Sequence, residues 1–239
     1  MEDLLKDKVC LLRERIKSSG DGTALYRELS DLLLRAGKIS AAMNILEKSL
    51  VAQEADGEPH PSPSGRDGEG RGGEGKWYFD RGLEYADAYL YEDAVECFQQ
   101  ALYAGHANFE SHYCLAGVLK SLARGAEAEE HCRRAIELNP RFAPAYILLG
   151  ALLKAAGRLD DSIQACKKAV LLDPECIAAY YDLACYFSLQ GKREQALASM
   201  EMALCKGFSD LAWAMKDPDL EALRGYPEFQ LLVKSYRTA

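Results

Sequence analysis

Any reaction chemistry in this 239-residue chain must come from four histidines, eight cysteines, paired carboxylates or a glycine-rich tract. His131 and Cys132 are adjacent and Cys166 follows 34 residues later, a soft-ligand set that could hold zinc or, with a base nearby, activate a thiolate. The spacing undercuts that chemistry, because Cys132 and Cys166 fall in one register with residues that recur every 34 positions and are explained as equivalent packing sites. His60 lies in a Gly/Pro-rich stretch, His106 in a turn, and His112 stands where other units carry Tyr146 and Tyr180. The tract Gly68-Glu69-Gly70-Arg71-Gly72-Gly73 has the glycine content of a phosphate loop. It lacks the preceding strand and the following Gly-Lys-Ser/Thr that such a loop needs. Asp160-Asp161 and Glu129-Glu130 read as solvated helix faces. With no nucleophile beside a base, no ligand cluster and no phosphate cradle, the sequence predicts no catalytic, metal-binding or cofactor-binding residues and no enzyme activity.

Composition narrows the partners. The formal charge is −8 and 49% of residues are hydrophobic, ample for a buried core and wrong in sign for a phosphate-binding surface. Nucleic acid and membrane are therefore not expected as partners. The start, Met1-Glu2-Asp3-Leu4-Leu5-Lys6-Asp7, lacks the basic-then-apolar pattern of a secretory signal, and no apolar run is long enough to span a bilayer. The cysteines show no paired CxxC spacing, so they are expected as buried thiols in a reducing compartment, and the expected location is the cytoplasm.

The elements that position these residues are announced by a period. Gly82, Ala116, Gly150 and Ala184 are spaced 34 apart, as are Ala101, Ala135, Ala169 and Ala203, and Ala94, Ala128, Ser162 and Ala196. A small side chain is required where two helices cross closely, so a fixed period implies one helical hairpin stacked on copies of itself. Each unit reads as two amphipathic helices of three to four turns, and Asn139-Pro140 and Asp173-Pro174 stop the second helix of their units. Four units follow: 75–108, 109–142, 143–176 and 177–210. One more, 23–56, carries Tyr26, Leu29-Ser30, Leu33, Gly37, Ala42 and Leu46, displaced by 18 residues. The excess is Gly57–Glu74, without any aliphatic or aromatic residue, and is expected to be a disordered linker that either loops out while the units stack or lets the first unit swing free. Residues 1–22 read as an amino-terminal capping helix through Leu5, Val9, Leu12 and Ile16, and 211–239 as carboxy-terminal capping helices, with Asp217-Pro218 as a helix start and Pro227 opening the last.

These residues resemble the tetratricopeptide repeat family, whose pattern is a bulky residue, then leucine before glycine or alanine, then an aromatic in the first helix. Alanine, a large residue and alanine follow in the second, with a closing proline. The resemblance covers roughly Thr23 to Asp210 apart from the linker. Departures are Arg81 for leucine, His106 and Phe208 for the closing proline, and Ser162 for alanine; Arg81 suggests looser packing beside the linker. The tail, with Asp217-Pro218-Asp219-Leu220 and Pro227-Glu228-Phe229, is similar to tails of bacterial members. The resemblance implies an all-α, right-handed superhelical solenoid whose first helices line a concave groove.

Carried over position by position, that groove would include Phe79, Asp80, Leu83 and Asp87 in one unit, and Tyr113 and Lys120 in the next. Ile147, Leu148 and Lys154 follow, then Tyr181 and Asp182. Members that clamp acidic carboxyl termini use asparagines where this chain has Glu28, Asp80, Cys114, Leu148 and Asp182, so a clamp is not expected. An apolar, aromatic middle flanked by carboxylates suits a peptide or helix with apolar anchors and basic residues; alternatively, Tyr113 and Tyr181 only pack between neighbouring first helices. The expected function is a protein-binding adaptor or scaffold. The alternative is self-assembly into oligomers, end to end or through tail helices around Trp213 and Phe229.

Overall fold

Helices recur with the predicted period in a computed structural model that describes residues 2–18, 23–38, 41–43, 45–46 and 71–237. They are α1 (Glu2–Ser18), α2 (Thr23–Arg35), α3 (Arg71–Asp87), α4 (Tyr91–Tyr103), α5 (Phe109–Ser121), α6 (Gly125–Leu138), α7 (Ala143–Ala155), α8 (Leu159–Leu172), α9 (Ile177–Leu189) and α10 (Arg193–Cys205). The tail adds α11 (Leu211–Ala214), a 3-10 turn (Pro218–Leu220), α12 (Glu221–Arg224) and α13 (Pro227–Arg237). Residues 41–43 and 45–46 are also helical, and no strand occurs among the described residues. The expected linker meets the structure only at its end. Residues 57–70 lie outside the described residues, while helix α3 opens at Arg71, four positions before the predicted unit. The cause is tertiary. Gly75 is buried so close to the end of the hairpin that an added Cβ would sit 2.8 Å from the His106 Cβ and 3.1 Å from the Ala104 carbonyl oxygen, and that packing overrides the weak helix propensity of Gly72 and Gly73.

Two compact units divide the chain, 1–122 and 123–239. In the first, α3 and α4 pack as a hairpin and α4 packs on α5. The small-residue register does what its period implied: an added Cβ at Gly82 would meet the Phe98 ring at 2.7 Å. Phe98 can therefore lie flat across α3, fully buried. The amino-terminal cap packs on α2 and reaches α4, with Arg13 paired to the buried Asp93 and the Lys6 ammonium 5.7 Å from the Tyr91 ring centre. Lys38, in the turn after α2, pairs with Asp87 at the end of α3. The first hairpin is thus tied to the second. Arg81 lies 5.0 Å over the Trp77 ring and beside Glu84, so the departure from leucine is absorbed by a cation–π contact.

In the second unit α6 packs on α7, α7 on α8, α8 on α9 and α9 on α10. Gly150 repeats the close crossing, with the Cys166 Sγ 2.8 Å from an added Cβ. Ser162, in place of alanine, is buried and donates to the Leu159 carbonyl oxygen at 2.7 Å. The tail helices complete this unit: Leu211, Leu220, Leu223, Phe229 and Val233 join Leu183, Met200 and Leu204 in one core. Phe229, expected on a self-assembly surface, is fully buried here, whereas Trp213 is 54% exposed.

Two local devices set the hairpins. The turn between first and second helix needs one left-handed residue, supplied by Gly37, Gly157 and Gly191 but also by Tyr89 (φ 62) and Ala123 (φ 58). The second helix stops in two ways. Asn139-Pro140 and Asp173-Pro174 end it in extended backbone, whereas Gly105 (φ 88) and Gly207 (φ 103) end it in a left-handed turn before His106 and Phe208.

Candidate functional site

Of the reactive side chains read from the sequence, Cys132 and Cys166 are buried thiols. Cys132 is buried, donates to the Ala145 carbonyl oxygen at 3.1 Å, and burial pushes its thiol up to about 12. Burial likewise raises Cys166, with the Asp182 charge adding to it. His131 is half-buried and desolvation lowers it, the reverse of what a cationic partner for a thiolate requires. Thiols kept protonated by burial are poor nucleophiles.

In the first unit the expected groove positions divide into packing and paired charge. Phe79 turns into its own hairpin, its ring centre 5.7 Å from Phe98 and 5.1 Å from His106. Asp80 is paired with Lys76 at 2.6 Å, and Asp87 with Lys38. Two of the three carboxylates expected to attract a basic partner are therefore neutralised within the chain. Leu83 is exposed, Lys120 is exposed and Tyr113 is half-buried. His106 also receives Asn108, Nδ2 to Nε2 at 3.2 Å, while the Asn108 side chain accepts from the Ser111 amide and starts α5.

In the second unit the first-helix positions meet a segment of the chain itself. Ile147 and Leu148 are half-buried on α7. Lys154, near the end of α7, reaches Asp219 at 2.5 Å. On α9 the Tyr181 ring stacks on Phe208 at 4.6 Å, and its hydroxyl donates to the Asp217 carboxylate at 2.6 Å. Cys185, one turn on, places its Sγ 3.8 Å from the same Asp217 oxygen. The other Asp217 oxygen accepts from the Asp219 amide at 2.9 Å, and Arg224 donates to the Asp217 carbonyl oxygen at 2.7 Å. Burial and the bond to Asp217 push the Tyr181 phenol well above its usual range, and burial with the Asp217 and Asp182 charges does the same to the Cys185 thiol. Asp182 is half-buried beside them.

Among the described residues, Cys185, Asp217 and Asp219 are the one group whose ligand atoms converge closely enough for a metal, within 4.8 Å of one another. The donor set does not fit one. Asp219 is already matched by an ammonium, Asp217 by a phenol and an amide, and the thiol is held protonated. The cluster is a docking point for the tail. Sequence reasoning named Lys154 and Tyr181 but took Asp217 only as a helix cap; the carboxylate does cap the 3-10 turn, through one oxygen, and leaves the other for Tyr181.

Residues 121–185 match the family model described as tetratricopeptide repeat. Among solved structures, the chain is similar to MamA, with 24% identity and a TM-score of 0.57 over 74% of this chain and 93% of that one. It is also similar to YrrB, described as a tetratricopeptide repeat protein with an unusual peptide-binding site, with 20% identity and a TM-score of 0.53 over 95% and 98%. A MamA fragment from Desulfovibrio magneticus RS-1 aligns at 24% identity and a TM-score of 0.51 over 78% and 94%. No curated protein matches the chain in sequence. At these identities the likeness shows the fold, the stacked hairpin repeat.

Proposed function

We propose that this chain, built of tetratricopeptide repeats, is a non-catalytic adaptor that holds a segment of another protein against the first helices of its repeats. The observation that carries this reading is the seat of Asp217 and Asp219, whose carboxylates are met by Lys154, Tyr181 and Cys185 of successive first helices. A surface that binds one such segment has the chemistry to bind others: aliphatic and aromatic patches with a few fixed polar groups. Leu83, Tyr113 and Lys120 are first-helix positions of similar chemistry in the first unit, as are Ile147, Leu148 and Asp182 in the second. The peptide-binding site named for YrrB is consistent with this use of the fold.

The test is a partner captured from lysate and identified by mass spectrometry, followed by Leu83→Ala with Tyr113→Ala and, separately, Ile147→Ala. Affinity should fall at least tenfold in each while far-ultraviolet helicity stays near wild type. Unchanged affinity in both removes the first-helix surface as the site. A second reading, self-association, is favoured by Trp213 and Leu231, which are 54% and 66% exposed on the tail. Sedimentation at several concentrations, with Trp213→Ala as control, separates the two.

A further inference from the structure

The seated tail describes a ligand. Asp217 and Asp219 present two carboxylates to one phenol and one ammonium, and Leu220, between them and α12, is fully buried. We infer that the first-helix face of the last two repeats is a receptor for acidic segments of the pattern Asp-x-Asp-Leu, that the chain's own tail occupies it as a tethered competitor, and that a partner carrying this pattern binds by replacing Asp217–Leu220. This rests on the adaptor reading and names the partner's chemistry.

Two donors at the seat, Lys154 and Tyr181, match the carboxylates of the tail although the half-buried Asp182 lies beside them. Lys154 and Tyr181 both donate toward carboxylate oxygens, and the recognised groups are side chains within a chain. A basic segment would meet Lys154 with like charge, and a purely apolar one would leave Lys154 and the Tyr181 hydroxyl without acceptors. A free segment of this pattern would compete with a tether whose effective concentration is of the order of millimolar.

The probe is a fluorescein-labelled peptide of the sequence Lys216–Arg224, titrated into the full chain by fluorescence anisotropy. Wild type should bind it weakly. Asp219→Ala, which loosens the tail and frees Lys154 without touching a buried aliphatic side chain, should bind it at least tenfold more tightly. Adding Lys154→Ala should remove most of that gain, and a peptide with both aspartates changed to asparagine should not bind the Asp219→Ala chain. Asp219→Asn serves as a second, shape-conserving release. Hydrogen exchange on wild type gives an independent readout, because saturating peptide should speed exchange of the amides at 219 and 220. Equal affinity of wild type and both release variants overturns the inference, as does a gain that survives Lys154→Ala. If the peptide fails while Leu83→Ala with Tyr113→Ala still abolishes capture of a partner, the adaptor reading stands and the tethered-competitor inference alone is lost.

Discussion

The repeats at 75–108 and 177–210 use the same two positions to close their hairpins, and they do so for different ends. In the first, Phe79 on α3 packs against His106 after the left-handed Gly105; in the second, Tyr181 on α9 stacks on Phe208 after Gly207. Both repeats lack the closing proline, and both replace its rigidity with a ring contact to the first helix. The middle repeats keep proline and place Tyr113 and Ile147 at that first-helix position. The pairs differ in their second ring and in tilt, and of the two first-helix rings only Tyr181 carries a hydroxyl. Phe79 ends in hydrocarbon, while Tyr181 extends an oxygen to Asp217 and so recruits the tail. A residue can sit at an equivalent place in a repeat array and be packing in one unit and recognition in another, because the polar tip, not the ring, decides which.

The largest effects should test whether each unit is anchored as described. Phe98→Ala in the first and Leu220→Ala in the second remove fully buried side chains and should cost about 3 kcal/mol or more each by urea denaturation. Residue-resolved hydrogen exchange should show the loosening centred in 71–122 for Phe98→Ala and in 123–237 for Leu220→Ala. Loosening spread evenly along the chain in both would mean the two units do not respond separately. The hydroxyl itself comes next. Tyr181→Phe leaves the buried Asp217 carboxylate short of a donor and should cost about 1–3 kcal/mol, whereas Phe79→Tyr, with no carboxylate to meet, should gain nothing.

The same pair predicts a pH dependence. Because Tyr181 is raised by burial first and the Asp217 bond second, it stays protonated in the folded chain where an unfolded tyrosine ionises. The stability it supplies is complete below about pH 10 and is lost as pH climbs beyond it. Wild type should therefore lose stability above that point more steeply than Tyr181→Phe, and parallel profiles would break the assignment. The smallest effect concerns the turns. Ala123→Gly relieves a left-handed alanine (φ 58) and should stabilise by about 0.5–1 kcal/mol in thermal melts, the net of strain removed and chain entropy added.

Much of the fold was legible because close helix crossings constrain residue size at a fixed interval: Gly82 and Gly150 marked the crossings, and the structure supplies Phe98 and Cys166 as the side chains that meet them. Tyr89 and Ala123 were less legible, though they lie in step with Gly157 and Gly191; only the period, not their chemistry, marks them as left-handed. The residues read as groove positions lie on first helices, and the partners several of them take within the chain were not readable. Lys76 four residues before Asp80 is a local signal for an ion pair, while Lys38 against Asp87 and Lys154 against Asp219 join residues 49 and 65 positions apart and follow only from the packing. The tail hid its second role because Asp before Pro already has a sufficient local explanation as a cap.

Arg13, Lys6 and Lys38 meet Asp93, Tyr91 and Asp87 from the other side of residues 47–70 in sequence. These three contacts should keep the amino-terminal hairpin in place without covalent continuity there. A chain cleaved between 47 and 70 should migrate as one species in native electrophoresis and as two under denaturing conditions.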